Sequence, residues 1–392
     1  IMSSPVATTL EDSFLFVAFG RMPRLGVNHL LAVDARGRPV GMISASALMR
    51  LRATEALVIG DEIAAAGGAA ALANVWRRIP ALVGALRAEG VEGLGIAAVI
   101  GAILRELTAR AAELAEQSMA EAGWGAAPTR WCVLVLGSGG RGESALTPDQ
   151  DNAIVHAGGA ADDAWFAEAG RRIAETLDQA GIPLCKGGVM AKNPEWRRSL
   201  AGWHDEIDRW IRKKEGEELL SVDIFFDLAP VFGDRALAQE LRRHAVAAAS
   251  RSPLFLLLLA AELDAMHSAL GVFGFLRPEQ GRFDIKLGGF LPIVTVVRVM
   301  ALKHGVDALA TGDRLSALAA RGAVNADDAA NLARAYNFLI NRLLDQQTAD
   351  IAAGVKPSTR VDPRRLGPGS KAALRNALRH ADLAAEIARG AL

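Results

Sequence analysis

Asp149 and Asp151 stand one residue apart, just ahead of the apolar pair Ile154-Val155. Side chains alternate along an extended chain, so residues two apart share a face. Two carboxylates held that way repel each other, and a divalent cation relieves the repulsion. Hard oxygen donors select a hard ion, so the expected metal is Mg²⁺. Upstream lies Gly137-Ser138-Gly139-Gly140-Arg141-Gly142. Glycine lets the backbone approach a ligand closely and leaves amides unobstructed, which is how glycine-rich turns hold phosphates. A phosphate-binding turn beside paired acids is the chemistry of a Mg²⁺-bound nucleoside triphosphate. Gly137, Ser138, Gly140 and Arg141 are the candidate phosphate contacts, the arginine through a charge-assisted hydrogen bond.

The elements that must position these groups can be read outward from them. Val133 to Leu136 is a short, β-prone apolar run that predicts a buried strand ending at the glycines. Leu219 to Leu228 (LLSVDIFFDL) predicts a second buried strand, with Asp223 and Asp227 on one face and Phe225 between them. Buried carboxylates are unfavourable unless paired or bound to metal. Ala164 to Ala180 is an amphipathic helix ended by Gly181. Cys185 to Lys192 is a loop or short strand, from which Lys192 and Asn193 could reach a phosphate or a base. Trp196, Trp203 and Trp210 recur every seven residues, a spacing that predicts packing on one helical face. His204 and the other histidines show no ligand spacing.

The string GSGGRGESALTPDQDNAIV resembles polymerase-β-type nucleotidyltransferases, most closely the branch found joined to CBS domains. That branch is akin to protein-PII uridylyltransferase and glutamine-synthetase adenylyltransferase. The resemblance continues through Cys185-Lys186-Gly187-Gly188-Val189-Met190-Ala191-Lys192-Asn193, Trp196, Ile224-Phe225-Phe226-Asp227 and Asp284-Ile285-Lys286. It implies an α+β fold: a small mixed sheet with helices as the catalytic core, flanked by helical domains. Asp149 and Asp151 are then metal ligands. Asp227, in the family's Ile-Phe-Phe-Asp position, is the first choice for the third metal carboxylate and proton acceptor, and Asp223 is the alternative. Ala229 stands where the family leads one to expect an arginine. Lys286 is expected to face the nucleotide across a cleft, and Arg298, Arg314, Asn341, Arg342 and Gln346 are further candidates for its lining.

The resemblance and the patterning divide the chain into four parts. Residues 1–54 resemble a single CBS motif, an α/β module that works in pairs. It spans Met2-Ser3-Ser4-Pro5 to Gly41-Met42-Ile43-Ser44, with strands at Leu31–Val33 and Val40–Ile43 and a helix from Ser46 to Arg52. Ala47 replaces the acidic residue that holds a ribose in ligand-binding CBS motifs, so dimerisation stands beside adenine-nucleotide sensing as its role. Residues 55–123 are a helical linker broken by glycines near 67–68 and 90–95, with Leu104, Leu107, Ala111 and Leu114 on one stripe. Residues 124–245 are the catalytic unit, and residues 246–392 are helical. The start at Ile1, in mid-pattern, suggests a piece of a longer protein.

Charge is balanced, with 44 basic and 44 acidic residues, which argues against a long nucleic-acid template. Two cysteines, Cys132 and Cys185, are too few for a disulfide framework and fit a reducing cytoplasm. The apolar runs Pro253–Ala261 and Leu287–Leu302 are read as core helices rather than membrane spans. The sequence thus predicts a homodimeric nucleotidyltransferase moving a nucleotide from its triphosphate to the hydroxyl of a regulatory protein or small molecule. The competing expectation is a degenerate sensor that binds nucleotide without turnover.

Overall fold

The computed structural model describes residues 6–11, 27, 29–34, 36–44, 59–212, 222–265 and 281–391. The start of the CBS-like motif at Met2–Pro5, its Ala47 position and the expected helix at Ser46–Arg52 lie outside them. Within the motif, β1 (Thr8–Leu10) pairs parallel with β2 (His29–Val33), which pairs antiparallel with β3 (Pro39–Ser44). The turn at 34–38 is closed by the Asp34 carboxylate, which accepts from the Arg36 and Arg38 amides at 2.9 and 2.8 Å.

The helical region after residue 59 holds α1 (Ala69–Trp76), α2 (Ile79–Ala88) and α3 (Gly93–Glu121). Breaks fall at Gly67-Gly68 and around Gly90, where φ is +78°. The apolar stripe faces inward: Leu104, Leu107 and Ala111 are buried, and Leu114 packs against the same core.

Residues 131–233 contribute a four-stranded mixed sheet. The strands are β4 (Trp131–Val135), β5 (Asn152–His156), β6 (Arg197–Ser199) and β7 (Ala229–Gly233), in the order β6-β5-β4-β7. β4 is antiparallel to both β5 and β7, and β5 is parallel to β6. A short helix, α4 (Gly137–Arg141), follows β4; α5 (Asp163–Gln179) and α6 (Leu200–Arg212) cover the sheet. Every residue of β4 and β5 is buried, as continuous apolar runs require. On α5, Trp165, Phe166, Ile173 and Leu177 form the buried stripe, each contributing roughly 1.5–3 kcal/mol by leaving water.

Of the three spaced tryptophans only Trp203 and Trp210 lie on α6; Trp196 closes a 3-10 turn ahead of β6. All three are buried, with ring centroids 6.3 and 6.1 Å apart in sequence order. Trp203 also donates its indole N–H to the Ile154 carbonyl at 2.9 Å. Packing accounts for them.

The expected second strand at 219–228 is corrected over its described part, since 219–221 lie outside the described residues. Asp223–Asp227 is a 3-10 helix, and the strand begins only at Ala229. Periodicity failed here because Phe225, Phe226 and Asp227 are all buried, so no alternation of faces exists to distinguish the two conformations.

The C-terminal part contains α7 (Arg235–Ser250), α8 (Pro253–Ala265), α9 (Leu291–Lys303), α10 (Thr311–Ala320), α11 (Ala326–Ala352) and α12 (Pro368–Ala391). A two-residue ladder joins β8 (Phe283–Asp284) to β9 (Arg360–Val361), and a π-turn at Lys286–Phe290 leads into α9. Ile293 to Leu302 of α9 are all buried, which makes it the centre of this part. Among the described residues no single helix is long and apolar enough to cross a membrane. Arg235–Ser250 and Pro253–Ala261 pass such a test only as a pair, bent at 91°.

Candidate active site

Antiparallel pairing brings the end of β4 beside the start of β5. The register Val135↔Asn152 continues as Leu136 N–H donating to the Asp151 carbonyl at 2.9 Å. Gly137 and Asp151 therefore meet, and a Cβ at Gly137 would stand 3.2 Å from Asp151 Oδ2. Gly137 also holds φ at +55°, a conformation few other residues adopt. The amides of residues 137–139 form the first turn of α4 and have no intrahelical acceptor. They are the backbone donors left for a phosphate.

The remaining glycines serve packing. Gly140 donates its amide to Leu136 O at 2.9 Å, and a Cβ there would lie 1.8 Å from the Asp227 carbonyl oxygen. Gly142 lies against Gly101 of α3, where a Cβ would come within 2.8 Å of backbone. Arg105 of α3 donates to the carbonyls of Gly139 and Gly140 and holds the turn from behind. Gly140, expected at a phosphate, is here the site of a close backbone crossing.

A second loop completes the site. Gln150 reaches inward, its side-chain amide donating to Ala174 O at 3.0 Å and Ile182 O at 2.9 Å, and its backbone N–H donates to Pro183 O. Asn152 accepts from Ala191 N–H at 2.9 Å through Oδ1 and donates its own N–H to Val189 O. Residues 182–191 are thereby tied to both neighbours of Asp151. Gly188, at φ +74°, turns the loop back on itself. The result places Cys185 over the acidic pair: one ligand atom each from Asp149, Asp151 and Cys185 lie within 4.8 Å of one another.

Burial and the charge of Asp149 push the Asp151 carboxyl up to about 7, against opposing effects from the Cys185 thiol, Lys286 and Arg141. Burial and the two carboxylates raise the Cys185 thiol to about 11, so it is neutral. The donor set fits a divalent cation, whose charge would relieve the strain between the acids. Lys286 is exposed at the start of the π-turn, and its charge opposes the rise of the Asp151 carboxyl.

Asp227 and Arg141 are placed elsewhere. Asp227 is fully buried, and three guanidiniums occupy both its oxygens: Arg141 at 2.6 Å, Arg298 at 2.7 Å and Arg314 at 2.8 Å. Burial alone would raise its pKa; Arg298, Arg314 and Arg141 outweigh it and hold the carboxyl well below its ordinary value. Asp223 pairs with Arg298, and burial pushes its carboxyl upward. Arg141 also bonds Glu143 at 2.7 Å, and Glu143 accepts from Tyr336 Oη at 2.8 Å and Thr311 Oγ1 at 2.9 Å. Arg141 and Asp227, expected at a phosphate and at a metal, are here engaged in a buried ion network. Its acids, Glu143, Asp223 and Asp227, match its three arginines in number.

Asn193 is spent within the loop, donating to Gly188 O at 2.6 Å, and Lys192 is half-buried. No described contact joins either residue to Asp149 or Asp151. Arg298 and Arg314 line the network rather than a cleft. Arg342 pairs with Asp345, Gln346 with Asp350, and Asn341 with Arg87 of α2.

The geometry agrees with the comparisons to known proteins. Residues 77–217 match the family described as "Putative nucleotidyltransferase DUF294", and residues 253–390 match "Putative nucleotidyltransferase substrate binding domain". The chain thus matches, in order, the models of a nucleotidyltransferase-type domain and of its companion substrate-binding domain. No curated protein is found to match it. Asp149, Asp151 and Cys185 all fall in the nucleotidyltransferase domain. Lys286, Arg298, Arg314 and Tyr336 are supplied by the substrate-binding domain, so the ion network is the joint between the two.

Sequence reasoning missed this joint. Glu143 sits inside the glycine-rich string, and nothing in its spacing ties it to Thr311 or Tyr336 more than 160 residues away. The only sequence signal was composition: charged residues inside otherwise apolar runs, Asp227 and Arg298 above all.

Proposed function

We propose that the protein transfers a nucleoside monophosphate from a Mg²⁺-bound triphosphate to an acceptor hydroxyl. The observation that carries this reading is the meeting of Asp151, itself beside Asp149, with Gly137 at the first turn of α4, under the charge of Lys286. Asp149 and Asp151 would hold the cation. The first-turn amides and the Ser138 hydroxyl would orient the terminal phosphates, and Lys286 would neutralise the remaining phosphate charge from the opposite side. A bound divalent ion would supply charge neutralisation at the phosphates and acidify the attacking hydroxyl. Such catalysis is mostly positioning, which a turn locked by Arg105 and a joint of buried ion pairs provide.

The family resemblance favours a uridylyl or adenylyl group and a regulatory protein as acceptor. By the same resemblance, the three N-terminal strands serve as half of a CBS pair that senses adenine nucleotide or joins two copies. A second reading, nucleotide sensing without turnover, gains support from the sequestration of Asp227: among the described residues no third carboxylate is grouped with the acidic pair.

Incubation with each of the four labelled triphosphates and Mg²⁺ separates the readings. Pyrophosphate release that Asp151→Ala abolishes, in a variant that melts as a folded protein, supports transfer. Saturable binding without release supports sensing. Equal turnover by wild type and Asp151→Ala refutes both the site and the mechanism.

A further inference from the structure

Among the described residues, the third donor grouped with Asp149 and Asp151 is the sulfur of Cys185. We propose that Cys185 makes this a site for thiophilic divalent cations of the zinc(II) class, and that it sets the balance between them and Mg²⁺. The inference rests on reading Asp149 and Asp151 as cation ligands, and not on any turnover.

Three observations carry it. The carboxylate that would have completed an all-oxygen site, Asp227, has both oxygens engaged by Arg141, Arg298 and Arg314. Cys185 Sγ lies within 4.8 Å of a carboxylate oxygen of both Asp149 and Asp151. Its loop is fixed on either side of Asp151, through Gln150 to Ile182 and Pro183 and through Asn152 to Val189 and Ala191. The sulfur is therefore held there rather than passing by.

Two carboxylates and a thiolate in one small site suit Zn²⁺, Co²⁺ or Cd²⁺, because soft sulfur selects borderline and soft ions while Mg²⁺ keeps oxygen ligands and water. On binding, the thiol proton passes to solvent as the sulfur–metal bond forms, with no change in oxidation state. Mg²⁺ has no such use for sulfur, so it would be held by the acids alone.

Co²⁺ titration of the purified full chain tests this, because a cobalt–thiolate bond has a charge-transfer absorption that carboxylates lack. Wild type is expected to show that band. Cys185→Ser is expected to lose it and to bind Zn²⁺ at least ~10-fold more weakly, with Mg²⁺ affinity changed by less than about 3-fold. Cys132 stays in the variant as an internal control, being fully buried in β4. No band in the wild type, or undiminished Zn²⁺ affinity in Cys185→Ser, overturns the proposal. A thiolate band in a chain that transfers no nucleotide upholds it while the transfer reading falls.

Discussion

Asp227→Asn and Asp151→Asn are both single-atom exchanges of a carboxylate, yet the structure demands opposite effects on stability. Asp227 balances the charge of a desolvated network in which three acids face three arginines. The amide removes one negative charge and turns an N–H donor toward guanidiniums that can only donate, leaving a net buried positive charge. Breaking a buried ion pair by removing one partner costs about 3–5 kcal/mol. At roughly 2–4 °C per kcal/mol for a unit of 150–250 residues, melting should fall by about 10 °C or more.

Asp151 is strained by burial and by Asp149, and its shift from 3.8 to about 7 sets a ceiling of about 4 kcal/mol on what its ionisation costs the metal-free fold. Asp151 keeps some contact with solvent, so Asp151→Asn should stabilise the metal-free protein by about 1–2 kcal/mol at pH 8. Scanning calorimetry with chelator present reads both. If Asp227→Asn melts within about 2 °C of wild type, the network does not hold the joint. If it melts higher and loses a Mg²⁺-induced shift, Asp227 is a metal ligand and the reasoning fails.

Other outcomes follow from the same geometry. Because the folded pKa of Asp151 lies above its unfolded value, wild type should lose stability relative to Asp151→Asn as pH rises from about 4 to 7, with no further change above. Paired melts across that range check the sign, and cation affinity should rise through the same window. Gly140→Ala puts a methyl group against the Asp227 carbonyl and should destabilise by about 3 kcal/mol or more, seen as a lower denaturation midpoint. Lys286→Met, at an exposed position, should leave melting within about 2 °C of wild type. It should weaken triphosphate binding by roughly tenfold, the effect of losing one charge-assisted contact, measured by calorimetric titration. Trp203→Ala should cost about 3–5 kcal/mol, since it empties a fully buried site and removes the indole hydrogen bond to the Ile154 carbonyl.

The paired acids and glycine turn were legible in the sequence because both ends of the hairpin are local: β4, the turn and β5 lie within 26 residues, and their types state the chemistry. The helical stripe on α3 and the helix α5 were legible for the same reason, each carrying its own periodicity. Asp223–Asp227 misled because a segment buried all round has no period to read. The allocation of Arg141 and Asp227 was hidden further still. An arginine beside a glycine turn and an acid at the family's position carry the same letters whether they meet a ligand or each other. Only the arrival of Arg298 and Arg314 from residues 71 and 87 positions away decides it.

The matched charges at the joint also constrain how this protein can vary. Exchanging any one of Arg141, Asp223, Asp227, Arg298 or Arg314 strands an unpartnered ion in a dry interior, so drift at these positions is blocked one step at a time. Viable lineages would have to replace acid and base together, and their histories at these sites should read as paired events. Lys286, exposed at the start of the π-turn, lies outside that network, so a change there strands none of these buried ions.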